Sequence, residues 1–213
     1  VTFLLGSIPW GIIISRLFYR TDIREHGSGN IGTTNALRTL GKRGGTAVFV
    51  LDFGKGLFAG FVGLLTVTFL LPLAHAQDGQ GAQGAAWLLS QDVLTASMMG
   101  CTLGHIFSPW LGFRGGKGIA VAAGCLGIAV GWLWMLVEIA VFAAFVLCTR
   151  YVSIGSIAAA LACPILTLWL FWGDALAIVF CIITGAVIIW AHRGNIRRLL
   201  NGTEHRVGSK RST

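Results

Sequence analysis

The sequence predicts an all-α polytopic membrane protein with seven transmembrane helices, an external N-terminus and a cytoplasmic C-terminus. Hydrophobic residues make up 55% of the 213 residues, and the mean hydropathy is +0.77. Charged residues reach only 11%, less than half of the roughly 25% that is typical of soluble domains. This composition excludes an ordinary soluble fold and indicates a single integral membrane domain over residues 1–213.

Apolar runs with few or no charges define the candidate spans, since a helix needs ~20 apolar residues to cross a bilayer. The seven candidates are residues 1–18, 46–72, 86–107, 118–131, 133–149, 154–172 and 175–191. The first continues into loop sequence without a small-residue cleavage site, so we interpret it as a span rather than a signal peptide. One long tilted helix over 118–149 is the alternative, and it would leave six spans.

The distribution of positive charge decides between seven spans and six. With Lys55 set aside inside the second span, seven spans place all 15 remaining Lys and Arg residues on one side, whereas six divide them eight and seven. The external connections are then Pro72 to Ala85, the turn at Gly131 and Trp132, and Gly173 with Asp174. Since cytoplasmic loops carry the excess of Lys and Arg, every larger polar segment is predicted to face the cytoplasm.

The net charge of +8 favours an anionic partner such as lipid or phosphate. Nucleic acid is the weakest candidate, because most cations lie beside apolar spans rather than on a separate polar domain. The five cysteines include no CxxC and no His-flanked pair. We therefore expect them to be small core residues rather than metal ligands or disulfide partners.

The first polar segment, residues 27–38, combines glycines with short hydrogen-bonding side chains. Its glycines form a GxGxxG pattern from Gly27, which indicates a dinucleotide site only between a strand and a helix. A helix beginning near Thr33 would direct free backbone N–H groups at an anion. It would also place Thr34 and Arg38 on one face. An anion site and a simple capped turn both remain open for this segment.

The second polar segment, residues 104–118, is a glycine-rich loop that carries Arg114 and Lys117. A Walker A loop needs Ser or Thr directly after Gly-Lys to hold magnesium, and Gly118 stands there, so ATP hydrolysis is not expected. Glycines and cations before a helix N-terminus suit a phosphate without a metal. A tight hairpin with positive-inside anchors is the alternative. His105 fits a hydrogen-bonded structural residue better than a ligand.

Three further features carry polar chemistry. On a helix that continues beyond the last span, His192 and Asn195 share a face, and a catalytic or a structural role is open to this histidine. Asp52 and Lys55 lie three residues apart within the second span, so we expect them to pair. Ser156, at the start of the sixth span, is a candidate donor to a substrate, although serines commonly bond their own helix.

Together these segments resemble the bacterial acyl-phosphate:glycerol-3-phosphate acyltransferase family, the PlsY type, over nearly the whole chain. The likeness rests on GSGNIGTTNALR (27–38), LDFGKG (51–56), GHIFSPWLGFRGGKG (104–118), YVSIGS (151–156) and HRGNIRRLLNGTE (192–204). Five separate motifs in the same order make the likeness specific. One departure is Gly194, where the family often has Glu.

The resemblance implies an enzyme of the bacterial inner membrane with seven spans and a cytoplasmic active site. Its reaction transfers a fatty acyl group from acyl phosphate to the sn-1 hydroxyl of glycerol 3-phosphate, giving lysophosphatidic acid and phosphate for phospholipid synthesis, with no cofactor and no metal. The implied catalytic residues are His192 and Asn195. The implied substrate-binding residues are Ser28, Asn30, Thr34, Arg38, Gly112, Gly115, Gly116, Lys117, Gly118 and Ser156.

No histidine is followed five positions later by Asp, so the HxxxxD base of many other glycerolipid acyltransferases is absent. The proton of the attacking hydroxyl can instead pass to an oxygen of the acyl phosphate. The alternative function is a membrane transporter for an organic phosphate, which would use the same basic loops. It predicts polar residues through the external halves of the helices, and spans four to seven carry few.

Overall fold

The computed structural model describes residues 1–70 and 82–208. These residues form α-helices joined by short connections, with no strand among them, which confirms the all-α class. The helices are α1 (Thr2–Ser7), α2 (Trp10–Tyr19), α3 (Thr33–Thr39), α4 (Gly41–Leu65), α5 (Ala82–Ile106), α6 (Ile119–Ala129), α7 (Trp132–Thr149), α8 (Val152–Leu170), α9 (Ala175–Ala191) and α10 (Arg193–Leu200). A π-helical turn, Thr66–Leu70, extends α4.

Each predicted span contains helix, but the helices differ in their capacity to cross a membrane. Within residues 1–70 and 82–208, four segments are long and apolar enough: Thr2–Tyr19, Gly41–Leu70, α7 and α8. Helices α9 and α10 meet at a bend of 52° and make a fifth if they count as one broken span. The eleven residues of α6 extend roughly 16 Å, about half the thickness of the hydrocarbon core. Of the predicted external connection Pro72 to Ala85, the part before Ala82 lies outside the described residues.

The first predicted span is interrupted rather than continuous. Helix α1 ends at Ser7 and α2 begins at Trp10, because Pro9 lacks the N–H that would continue the helix and disfavours helical backbone at Ile8. The freed carbonyl oxygen of Ile8 accepts a hydrogen bond of 2.7 Å from Lys55 Nζ on α4. A backbone group exposed by the break is therefore paired inside the bundle, as the membrane interior requires.

Asp52 and Lys55 form the predicted ion pair. Their Oδ1 and Nζ atoms are 2.8 Å apart, and both side chains are buried. Lys55 Nζ also lies 2.9 Å from His105 Nδ1, and since an ammonium only donates, this ring nitrogen accepts. His105 is therefore the hydrogen-bonded histidine that the sequence favoured, and the cluster ties α4 to the end of α5.

Helices α4 and α6 pack with their backbones in contact. A Cβ on Gly56 would overlap the carbonyl oxygen of Val121, and one on Gly124 would overlap that of Phe53. Small residues permit this close approach between membrane helices. The packing fixes the start of α6, directly after Gly118, beside the segments that form the site.

Candidate active site

A cavity of about 340 Å³ lies where the predicted polar segments converge. The structure brings nine of the twelve predicted site residues into its lining: Ser28, Asn30, Thr34, Arg38, Lys117, Gly118, Ser156, His192 and Asn195. The other three, Gly112, Gly115 and Gly116, are not part of the lining. The nine predicted residues form the polar end of the cavity. Beyond it, the lining continues as an apolar limb, formed by side chains of α4, α6, α7, α8 and α9 that include Phe53, Leu126, Phe142, Ala160 and Ile188.

The first loop is folded around the buried side chain of Asn35. Its Nδ2 donates to the carbonyl oxygens of Ile23, His26 and Asn30 at 3.1, 3.0 and 2.8 Å. Its Oδ1 accepts from the backbone N–H of Ser28 at 2.9 Å. Asn35 therefore uses its hydrogen-bonding groups to hold the loop in shape.

Helix α3 begins at Thr33, as the sequence predicted. Thr34 and Arg38 lie one turn apart, and both line the cavity. Burial lowers the pKa of Arg38, and the carboxylate of Glu204 opposes that effect. Because arginine starts from a pKa above about 12, its guanidinium keeps its positive charge.

Lys117 and Asn195 are joined across 78 residues of sequence by a hydrogen bond from Nζ to Oδ1. Asn195 Nδ2 donates to Glu204 Oε1 at 2.7 Å, and Arg198 Nε donates to Glu204 Oε2 at the same distance. The ammonium only donates and the carboxylate accepts, so the orientation of the Asn195 amide is fixed. Burial would raise the pKa of Glu204, but the hydrogen bonds from Asn195 and Arg198 outweigh it and hold the pKa below its ordinary value.

Lys117 is the cation most affected by its surroundings. Burial is the main cause that lowers its pKa to about 8, with nearby Arg198 and Arg38 adding to the effect and Glu204 opposing it. An ammonium so poorly solvated gains more from an anionic ligand than an exposed lysine does.

His192 lies at the bend between α9 and α10 and is buried. Burial first, and then the neighbouring Lys117, lower its pKa to about 4, so the ring is neutral near pH 7. Its Nδ1 is 2.8 Å from the carbonyl oxygen of Ile188. A carbonyl only accepts, so Nδ1 carries the proton and Nε2 is left as an acceptor. This tautomer suits a residue that holds a substrate hydroxyl by its proton.

The glycine-rich loop is held to the end of α5 by backbone hydrogen bonds. The N–H groups of Gly115 and Gly116 donate to the carbonyl oxygens of Ile106 and His105, at 2.9 and 3.0 Å. These amides are already paired within the protein, and neither glycine lines the cavity, so their predicted part in a phosphate pocket stays a prediction. Gly112 is exposed and has a φ of +59°, where it closes a helical turn.

Close packing explains the need for glycine at these two positions. A Cβ on Gly116 would overlap the His105 imidazole, and one on Gly115 would overlap the His105 carbonyl oxygen. The loop is thereby pressed against the end of α5, and this contact positions the next residue, Lys117.

We expect Gly116→Ala to lower the free energy of unfolding by about 1–3 kcal/mol, because its methyl group displaces His105. Gly54→Ala is the matched control, since a Cβ on that helical glycine meets no atom within 4 Å. This control should leave stability unchanged or raise it by up to about 1 kcal/mol. Thermal unfolding of both variants in detergent measures the difference. A folded Gly116→Ala protein with normal stability and a raised KM for one phosphate substrate would contradict the packing role.

The lining residues that were not predicted as site residues include the charged residues Glu138, Arg198 and Glu204. Glu204 had a usable signal, because it is the one acidic residue between positions 193 and 211. Gly194 is exposed and does not line the cavity, so the site obtains its carboxylate from Glu204. Among the described residues, no group of three or more His, Cys, Asp and Glu side chains is placed to hold a metal ion.

Several helices are apolar and long enough to cross a membrane, and the cavity joins a cationic end to an apolar limb. These features define an integral membrane protein with a site suited to an amphiphilic phosphate. The model of the glycerol-3-phosphate acyltransferase family matches residues 1–202. The chain therefore belongs to the glycerol-3-phosphate acyltransferase family, and it is a multi-pass membrane protein.

Individual relatives agree with this assignment. A glycerol-3-phosphate acyltransferase of Brucella canis is 40% identical over 98% of this chain and 90% of its own length. One of Acaryochloris marina is 39% identical over 100% of this chain and 92% of its own length. A crystal structure of PlsY, an integral membrane glycerol 3-phosphate acyltransferase, in its glycerol 3-phosphate form superposes with a TM-score of 0.79 and 37% identity, covering 97% of this chain and 92% of that one. Its lysophosphatidic acid form gives 0.75 and 36%.

Proposed function

We propose that this protein transfers a fatty acyl group from acyl phosphate to the sn-1 hydroxyl of glycerol 3-phosphate, with 1-acyl-glycerol 3-phosphate and inorganic phosphate as products. The observation that carries the proposal is one cavity that joins Arg38, Lys117 and His192 to an apolar limb. The cations suit phosphate groups, and the limb suits an acyl chain. Relatives named glycerol-3-phosphate acyltransferase support the transfer of an acyl group to glycerol 3-phosphate, and none of those described above is named as a transporter.

The polar end is proposed to hold both phosphates. Arg38 supplies a guanidinium, which binds phosphate oxygens through two parallel N–H bonds. Lys117 supplies a poorly solvated ammonium, and the hydroxyl and amide groups around it complete the binding of glycerol 3-phosphate and of the acyl phosphate head. These are Ser28, Asn30, Thr34 and Ser156, with Gly118 beside Lys117.

The chemistry is a substitution at the acyl carbon. The sn-1 oxygen attacks the carbonyl carbon, the bond from that carbon to the phosphate oxygen breaks, and phosphate leaves with the proton of the hydroxyl. A neutral His192 accepts a hydrogen bond from the hydroxyl and orients it, while Asn195 fixes the neighbouring Lys117. Holding two reactants in this geometry is itself a large part of catalysis. Acyl phosphate is an activated donor, so neither ATP nor a metal is required.

A choice of donors tests the proposal. Purified protein receives labelled glycerol 3-phosphate with acyl phosphate, acyl-CoA or acyl carrier protein in turn. The proposal predicts labelled 1-acyl-glycerol 3-phosphate with acyl phosphate alone. Product from acyl-CoA without acyl phosphate would contradict the donor assignment, and uptake of unmodified label into proteoliposomes without any product would favour a transporter.

We further propose that residues 1–213 form one domain of seven spans in the bacterial inner membrane, with the site on the cytoplasmic face. The charge distribution supports this orientation, and so does the convergence on one cavity of residues from all five motif segments, 27–38, 51–56, 104–118, 151–156 and 192–204.

Cysteine accessibility tests the orientation. In intact cells, an impermeant maleimide should fail to label Arg114→Cys and Arg197→Cys but should label Trp172→Cys, which is exposed beside the predicted external turn. A background with Cys148 replaced by serine removes the exposed native thiol. Labelling of only one of positions 114 and 197 would end the seven-span topology and the composite site.

The lowered pKa of Lys117 predicts a pH dependence. An ammonium binds phosphate only while it is charged, so kcat/KM should fall as the pH rises through about 8. The substrate phosphates complete their titration near pH ~6, so they do not cause this fall. Lys117→Arg should move the alkaline decline to higher pH, whatever its absolute rate. An unchanged decline in that variant would assign the titration to another group.

A further inference from the structure

The apolar limb of the cavity contains one carboxyl group that the proposed reaction does not use. Glu138, on α7, is 94% buried as a residue and lines the limb. Its Oε1 atom is inaccessible to solvent and has no hydrogen-bond partner among the described residues. Burial of a carboxyl group without a hydrogen-bond partner costs free energy in either protonation state. Glu138 therefore affects the binding of any molecule that enters the apolar limb.

The distance of Glu138 from the polar end of the cavity can be estimated from the two antiparallel helices α7 and α8. Helices α7 and α8 are joined at Arg150 and Tyr151, and Glu138 lies as far from the end of α7 as Cys163 does from the start of α8. At a rise of 1.5 Å per residue, both lie roughly 16 Å from the turn, whereas Ser156 lies only about 6 Å from it. Glu138 is therefore some 10 Å deeper than the polar end.

The lining side chains of α7 and α8 between these two levels are apolar, and the hydroxyl of Thr184 on α9 bonds the carbonyl oxygen of Phe180 in its own helix. Phe142 lies one turn nearer the polar end than Glu138, and Ala159 and Ala160 face the cavity from α8. An acyl chain whose phosphate is held by Lys117 would extend along these side chains, and only a chain of sufficient length would reach Glu138. Methylenes packed against Glu138 would cover the small part of the residue that is still accessible and offer the carboxyl no hydrogen bond in return.

We propose that Glu138 is a specificity-determining residue that disfavours acyl chains long enough to cover its carboxyl. The inference rests on the proposed acyl transfer, and it assigns the choice of chain length to one position. Short and medium chains stop before the carboxyl and leave its accessible part uncovered. A leucine there would remove this carboxyl group from the path of the chain.

The test measures kcat/KM for a medium-chain and a long-chain acyl phosphate at a fixed concentration of glycerol 3-phosphate. Glu138→Leu should raise the ratio of the long-chain to the medium-chain value roughly tenfold, because the penalty for an unpaired polar group disappears. Glu138→Met is a second apolar replacement in case the leucine variant folds poorly. Glu138→Gln keeps the polar group, and Leu136→Ile changes an exposed residue of the same helix that does not line the cavity, so both should keep the wild-type ratio.

Each outcome decides the proposal. An unchanged ratio in both apolar variants, with a normal KM for glycerol 3-phosphate, would overturn the role of Glu138 while leaving the proposed function intact. An equal rise in Glu138→Gln would overturn it as well, since shape rather than polarity would then set the preference. Failure of the wild-type protein to use any acyl phosphate would overturn the proposed function, and this inference with it.

Discussion

Replacement of His192 with alanine is expected to lower kcat about a hundredfold or more, while KM for glycerol 3-phosphate changes little. The ring is buried and neutral, and Nδ1 is bound to the Ile188 carbonyl oxygen, so Nε2 remains to accept from the substrate hydroxyl. The variant keeps the cations that bind phosphate and loses the group that orients the nucleophile. Steady-state kinetics with each substrate varied separately measure the two effects.

Two variants accompany this measurement. His26→Ala removes an exposed histidine whose ring bonds Thr21, and it should leave kcat unchanged. Asn195→Ala should lower kcat as well, because Lys117 loses the acceptor that fixes its ammonium and Glu204 loses one of its donors. If His192→Ala and Asn195→Ala both retained normal turnover, the proposed catalytic pair would be wrong.

Arg38→Ala is expected to raise KM for a phosphate substrate roughly tenfold to a hundredfold, the usual worth of a charge-assisted hydrogen bond. Its guanidinium lines the cavity on the same face of α3 as Thr34. The effect should fall on KM more than on kcat, because the phosphate is bound in both the ground state and the transition state.

Arg43→Ala is the matched control for charge. Arg43 is exposed on α4 and does not line the same cavity, so its loss reduces the net charge equally without removing a binding group. Similar rises in KM for both variants would show that general electrostatic attraction, and not a contact by Arg38, is responsible.

The sequence predicted the all-α class and placed helix in each apolar run, because hydrophobic length is a local property. The start of α3 at Thr33 and the pairing of Asp52 with Lys55 follow from spacing within one segment. It also predicted two cations of the cavity lining, Arg38 and Lys117, but not the third, Arg198.

Contacts between distant segments could not be predicted in this way. The bond from Lys117 to Asn195 spans 78 residues, and no periodic pattern relates these positions. The bonds from the amides of Gly115 and Gly116 to the end of α5 could not be predicted for the same reason. Glu138 looks like an isolated charge in an apolar span, and only the fold shows that it lines the cavity.

The central claim is that acyl transfer consumes acyl phosphate without a metal, and its most direct test is the stoichiometry of the two products. Purified protein is incubated with acyl phosphate and labelled glycerol 3-phosphate in the presence of EDTA, and phosphate and acylated product are measured in the same sample. The account predicts one phosphate for each 1-acyl-glycerol 3-phosphate formed, at the rate seen without chelator. Phosphate release without acylated product, or complete loss of activity on chelation, would contradict it.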